Sequence, residues 1–453
     1  MIIKPLAELR EADDRALVFG PLGLGGRMRP EDAADFQQEV IARHDLAPEV
    51  AEGTRESFEQ LREIYAHGVL CYPIYTMVHD HALLVFEQAL RDRFLDYHKG
   101  TVTFIHRKTG EPEKLAADKY EQVHDFVRRN GRYQLQIGDG PETMPFNGML
   151  SDLLAWARKV GLLRGQLNRF TEQTIATLRN YAAHPSYHLA MPVDAARTIS
   201  DLAEIINHLW GSPTHGGRLY PAPAEREIMA VMWDDNGRTI MTSSVATEAA
   251  AASGDIWPGG PDPARWTCFL VRGVPHDEDL HQFDARYETT QYPAEWLWGP
   301  GTLDDALTWA SEARPAGDTI DTLDRYLLLL HHEGLLHFPQ DPRVAAATDS
   351  SEHDGTWFLL RADAPHAAFN HQRQILAGGS NCTADGECPQ CPVVTIGSGT
   401  WNEAMELLDA RGITPQPRPA PDERVPSLRR SPRFVRIAGT SPRKHADAGK
   451  RAG

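Results

Sequence analysis

Two amphipathic stripes divided by a proline constrain this chain more than any other feature of its sequence. Met149, Leu153, Leu154, Trp156, Ala157, Val160 and Leu163 recur every three or four residues, and Ile175, Leu178 and Ala182 continue the pattern from Thr171 to Ala183. That spacing gathers apolar groups on one face of a helix. Pro185 disfavours helical backbone at His184, so the helix is expected to end there. The second stripe, Val193, Ala196, Ile199, Leu202, Ile206 and Leu209, has Pro192 near its start and Gly211 beyond its end, as a separate helix should. The segment Arg179-Asn180-Tyr181-Ala182-Ala183-His184-Pro185 therefore lies at a helix–helix junction, where the carbonyl end of the first helix favours a protonated imidazole.

Two more helical runs lie upstream. Phe58, Leu61, Ile64, Tyr65 and Val69 form one, with a kink before Pro73, and Leu83, Phe86, Leu90 and Phe94 form the other. Glu87 falls inside the apolar stripe of the second, where an unpaired carboxylate would cost several kcal/mol, roughly the scale for a buried charge. Arg179 falls inside the stripe of Ile175 and Ala182. Pairing the two anomalies predicts a Glu87–Arg179 ion pair across the bundle.

Arg followed five residues later by His also occurs at Arg62/His67, Arg93/His98 and Arg361/His366, with a looser copy at Arg325/His331. Only at Arg179 is the pair combined with a following Asn, an Ala-Ala before the His, a Pro after it and a long helix on each side. Four helices with an Arg-Asn-x3-His segment between the last two resemble the HEPN superfamily over residues 55–211. The resemblance implies that Arg179 and His184 are a catalytic pair with Asn180 as polar neighbour, that the partner is RNA, and that the protein is a homodimer. Its chemistry needs no metal: RNA supplies the 2′-hydroxyl nucleophile, histidine moves a proton near neutral pH, and arginine meets the charge growing on phosphate. Residues five apart on a helix diverge by about 140°, which a second copy facing the first would resolve. Tyr187 and His188, beyond Pro185, are placed to touch RNA or to pack locally.

The net charge of −17 disfavours general nucleic-acid binding, since backbone recognition relies on positive patches. The charge is uneven: residues 416–453 hold ten Lys/Arg against three Asp/Glu, and with their Pro, Ser and Gly they read as a basic tail without a packed core. No apolar run approaches the roughly 18 residues of a membrane span, and Lys4, Glu8, Arg10 and Glu11 interrupt any leader pattern. A cytoplasmic protein with no membrane partner is expected. Five cysteines in a long chain argue against a disulfide scaffold.

Residues 1–54 contain a glycine-rich stretch from Gly20 to Gly26, without the Gly-Lys-Ser/Thr ending of a phosphate loop, and then a helix around Glu31 to Arg43. The stretch 98–145 reads as an α/β insertion: a strand at Thr101–Ile105, a helix from Glu113 to Arg129 and a strand at Tyr133–Ile137. From 221 to 365 short strands and helices alternate. Ile228–Trp233 and Thr239–Ser243 flank an Asp-Asp-Asn-Gly hairpin turn; further strands are expected at Trp266–Val271 and Trp357–Arg361, and helices at Leu303–Ala313 and Thr319–His331. Trp296, Trp298 and Trp309 read as core or as a groove lining.

Residues 366–414 carry Cys382-x5-Cys388-x2-Cys391 and an amphipathic helix from Trp401 to Arg411. Three thiols this close can reach one tetrahedral zinc, with His371 taken as the fourth ligand ahead of His366 and Cys268. The sequence thus predicts a mixed α and α/β multidomain chain: a HEPN-like four-helix bundle with an α/β insertion, followed by an α+β domain. Its expected function is metal-independent RNA cleavage in a toxin or antiphage role, with no cofactor for catalysis, a structural zinc and a regulatory protein partner. The alternatives are a noncatalytic HEPN adaptor for nucleic acid or protein and a zinc-containing nucleic-acid-binding regulator.

Overall fold

A computed structural model describes residues 3–20, 26–138, 140–182, 189–212, 218–233, 239–245, 266–274, 293–379 and 381–415; the side chains of 175–182, 233 and 239–244 lie outside the description. The fold is mixed, with helices and antiparallel sheets, and divides at 222/223 into two compact units. Residues 1–54 and 55–211 share the first unit, whereas 223–365 and 366–415 share the second. Among the described residues no helix is long and apolar enough to cross a membrane.

The first unit opens with a short helix α1 (Leu6–Leu9) and then α2 (Pro30–Ala42), α3 (Glu52–Ala66) and α4 (Pro73–Tyr97). A 3-10 turn, His67–Leu70, ends α3, and Pro73 sits in the first turn of α4, where its missing N–H costs nothing. After the insertion come α6 (Leu150–Lys159), α7 (Gln166–Ala182) and α8 (Pro192–Leu209). α4 packs against α3, α6, α7 and α8. That central position explains its broad buried face, on which Tyr75, Val78, Leu83, Phe86, Leu90 and Phe94 share space with the carboxylate of Glu87. Arg91, one turn later, supplies Glu87 with a cation. The expected partner Arg179 stands on α7, but its side chain lies outside the described residues.

The insertion is a four-stranded antiparallel sheet, β2-β1-β3-β4, built from β1 (Thr101–His106), β2 (Pro112–Ala116), β3 (Tyr133–Gln136) and β4 (Thr143–Met144), with α5 (Tyr120–Arg129) packed beside α4. The helix expected from Glu113 is therefore shorter. Residues 112–116 form an exposed edge strand paired to β1, because backbone pairing gives those polar residues more than an isolated extra turn would.

A buried polar clasp closes the unit. The Glu204 carboxylate on α8 accepts the backbone N–H groups of Arg218 (2.9 Å), Leu219 and Tyr220. The Tyr220 hydroxyl, kept protonated by complete burial, donates to Glu172 on α7 (2.9 Å), which also pairs with Arg158 on α6. Asn168 binds the Leu219 carbonyl, and His208 stacks on Tyr220 at 4.1 Å.

The second unit has two antiparallel sheets. One, ordered β6-β5-β7-β8, comprises β5 (Ala224–Trp233), β6 (Thr239–Ser244), β7 (Thr267–Gly273) and β8 (Trp296–Gly301), with β9 (Asp318–Ile320) paired to β5. β5 and β6 pair as the hairpin pattern implied; the turn at 234–238 is outside the described residues. The other, β11-β10-β12-β14-β13, comprises β10 (Arg325–His332), β11 (Leu335–Leu336), β12 (Thr356–Ala362), β13 (Gly386–Glu387) and β14 (Val393–Gly399).

Val231, Phe269, Val271 and Trp296 from the first sheet share a core with Leu327, Leu329, Leu360 and Val393 from the second. The outer face of the first sheet is covered by Ala306, Trp309 and Ala310 of α9 (Leu303–Ala313). That of the second is covered by Ala404 and Leu408 of α12 (Trp401–Asp409), beside Ala345 of α10 (Pro342–Ala346). Trp296, Trp298 and Trp309 are thus core residues.

The helix expected over Thr319–His331 is instead β9 and β10. Leu327 and Leu329 face the shared core while Leu328 and Leu330 face α12, so alternate leucines are buried on opposite sides of a central strand. α11 (Pro365–Leu376) completes the shared core with Ala368 and Phe369.

Replacing Glu204 by Ala would strand three N–H groups of the clasp. Each orphaned buried donor costs about 1–3 kcal/mol, so Glu204→Ala should lower the urea midpoint of the first unit markedly and Glu204→Gln less. An unchanged midpoint in Glu204→Ala would show that the clasp contributes nothing to stability.

Candidate functional site

Where α11 ends, the chain turns back through a short exposed loop to the β13–β14 hairpin, and this return brings four soft donors together. His371 Nδ1 or Nε2 and the sulfur atoms of Cys382, Cys388 and Cys391 all lie within 4.8 Å of one another. The local sequence dictates the convergence. Helical spacing places His371 on the face of α11 that carries Ala368 and Gln372, all three buried. Gly378, at φ +74°, permits the left-handed turn that stops the helix.

Cys388 follows β13, and its N–H donates to the Val393 carbonyl (3.1 Å), while the Val393 N–H donates to the Cys391 carbonyl (2.8 Å). These two bonds, with Pro389 and Pro392 limiting the backbone, hold Cys388 and Cys391 in one tight turn.

The two ring nitrogens of His371 have different surroundings. Nε2 is 3.1 Å from Thr395 Oγ1 on β14, whereas Nδ1 is buried without a well-formed hydrogen bond. A buried polar atom left without a partner is costly, and a metal ligand whose other nitrogen is fixed by a hydroxyl resolves that cost. Burial pushes the His371 pKa down, against a smaller opposing effect of the Thr383 backbone.

Among the sulfurs, Cys382 and Cys391 are 3.5 Å apart. Ideal tetrahedral zinc thiolates would be separated by about 3.8 Å. Burial pushes the Cys391 thiol up to about 12, assisted by its sulfur neighbours, and burial likewise raises Cys382. Burial acts in the same direction on Cys388, but the backbone N–H groups of Gln390, Thr383 and Cys391 outweigh it and lower that thiol. The Gln390 N–H is 3.5 Å from its sulfur. The corner resists collecting three thiolates unaided, which is the condition a divalent cation reverses.

The structure therefore brings all four expected ligands together as a group able to hold a metal ion. His366 and Cys268 are not in the group; Cys268 is buried on β7 against α9. Thr395 is the functional residue that sequence reasoning missed. Its only signal was a hydroxyl within an otherwise apolar strand run.

The other candidate lies in the first unit. Arg179 and Asn180 belong to the last turns of α7, whose side chains there are outside the described residues, and His184, Tyr187 and His188 lie outside them entirely. Of that segment the description covers only the backbone from Arg179 to Ala182, the end of α7; α8 begins at Pro192. Comparison with protein-family models, curated proteins and solved structures finds no match.

Thr395→Val would leave His371 unfixed. With zinc as the probe ion, competition against a chromophoric chelator should find affinity lowered about 10- to 100-fold, the usual effect of losing such an orienting partner. Equal affinities for the variant and the native chain would remove Thr395 from the centre.

Proposed function

We propose that the first unit is a HEPN-type, metal-independent endoribonuclease and that the second unit carries a structural zinc. What supports the nuclease reading is the Arg179-Asn180-x3-His184 pattern in the sequence, together with the place of Arg179 and Asn180 in the last turns of α7, a helix that packs, like α8, on the central α4. In this reading the substrate's 2′-hydroxyl attacks the adjacent phosphorus as the 5′-oxygen leaves. His184 transfers the proton and Arg179 stabilises the charge developing on the phosphoryl oxygens. Asn180 is the neighbouring polar group, Tyr187 and His188 contact RNA, and two copies of the chain assemble so that their junctions face each other.

The zinc reading rests on the three sulfurs and one imidazole, a soft donor set that suits zinc. With four protein ligands the site is closed. Its contribution is folding energy for the α11–β13–β14 corner, and RNA cleavage does not pass through it. The second unit then serves to target or restrain the nuclease, through a protein partner or its own surface.

Purified full-length protein should cut mixed RNAs in the presence of EDTA, leaving 2′,3′-cyclic phosphate ends. Arg179→Ala and His184→Ala should each reduce cleavage by at least about 100-fold, the lower end of a general acid–base contribution, with circular dichroism unchanged. His67→Ala should retain native activity. Native protein that binds RNA without cutting it, or variants as active as the native chain, would contradict the nuclease reading and favour an adaptor.

A further inference from the structure

We propose that Cys382 and Cys391 join in a disulfide on exposure to a peroxide and so expel the metal, making the centre a redox-sensitive switch. The inference rests on the zinc reading above. Three observations point to this pair. Their sulfurs are 3.5 Å apart, a short closure from the roughly 2.05 Å of an S–S bond. Both residues are half-exposed, whereas Cys388 is fully buried. Cys382 is carried by a segment whose neighbours Asn381, Thr383, Ala384 and Asp385 are all exposed. It can therefore move toward Cys391 without disturbing a packed core, while Cys391 stays anchored through its carbonyl to the Val393 N–H.

The chemistry balances with hydrogen peroxide as the two-electron oxidant. The Cys382 thiolate attacks one peroxide oxygen and the O–O bond breaks, giving a sulfenic acid and, after protonation, water. The Cys391 sulfur then forms the S–S bond while the sulfenic S–O bond breaks, and the departing hydroxide takes a proton to become a second water. Two thiolates, one peroxide and two protons from solvent thus yield one disulfide and two waters. Only Cys388 and His371 remain as ligands, too few for a four-coordinate structural zinc, and the metal leaves. A dithiol reductant with added zinc restores the centre by thiol–disulfide exchange.

The test uses the full-length chain, zinc-loaded, carrying Cys71→Ser so that this exposed thiol cannot cross-link molecules. Hydrogen peroxide should release nearly all of the bound zinc to a chromogenic chelator, in step with a Cys382–Cys391 link found by peptide mass mapping. Dithiothreitol with zinc should reverse both. Zinc retained with Cys382 and Cys391 unlinked, or a link that uses Cys388, would overturn the switch and leave the zinc reading standing. Failure to bind zinc either as purified or after its addition would overturn the zinc reading, and the switch with it.

Discussion

Three sulfurs and an imidazole drawn around one point form a corner that favours a cation over empty space. Burial resists ionisation of Cys382 and Cys391, and His371 Nδ1 is enclosed without a well-formed hydrogen bond. Each of these would weaken the corner in the absence of metal; a zinc ion held there, as proposed, would turn the thiols into thiolates and give Nδ1 a partner. More than a loop depends on that exchange. His371 belongs to α11, whose Ala368 and Phe369 lie in the core shared by both sheets of the second unit, and Thr395 pairs with Leu360 on the central strand β12. The centre therefore couples a surface hairpin to the interior.

The first unit relies on a different device, buried carboxylates satisfied by local donors. Glu204 gathers three successive N–H groups and Glu172 receives both Tyr220 and Arg158, which ties α6, α7 and α8 to the segment leaving the unit. Glu87, in the middle of α4, has Arg91 beside it. These acids are tolerated because each has a partner within its own helix or an adjoining segment, in keeping with the high cost of a lone buried charge. The same arrangement fixes α7 two turns before Arg179, in the helix on which the proposed RNA chemistry depends.

Most helices were legible because one apolar face alternates with a polar one. α8 announces itself through periodicity together with Pro192 near its start and Gly211 beyond its end. Strand β10 was not legible as a strand: four consecutive leucines favour helix in isolation, and only burial on both sides makes them a strand. The edge strand Pro112–Ala116 carries no apolar alternation at all, so pairing with β1 alone defines it. At the metal group, Cys spacing exposed three ligands and proximity suggested His371. His371 was taken ahead of His366 from the sequence, and the buried face of α11 gives the physical reason; Thr395 required the register of β14 against its neighbours.

Zinc K-edge X-ray absorption on the purified full-length chain tests the metal-organised corner most directly. The account predicts a first shell of three sulfurs at about 2.3 Å and one nitrogen at about 2.0–2.1 Å, with the nitrogen contribution lost in His371→Ala. A shell dominated by oxygen, or one in which His371→Ala leaves the spectrum unchanged, would contradict it.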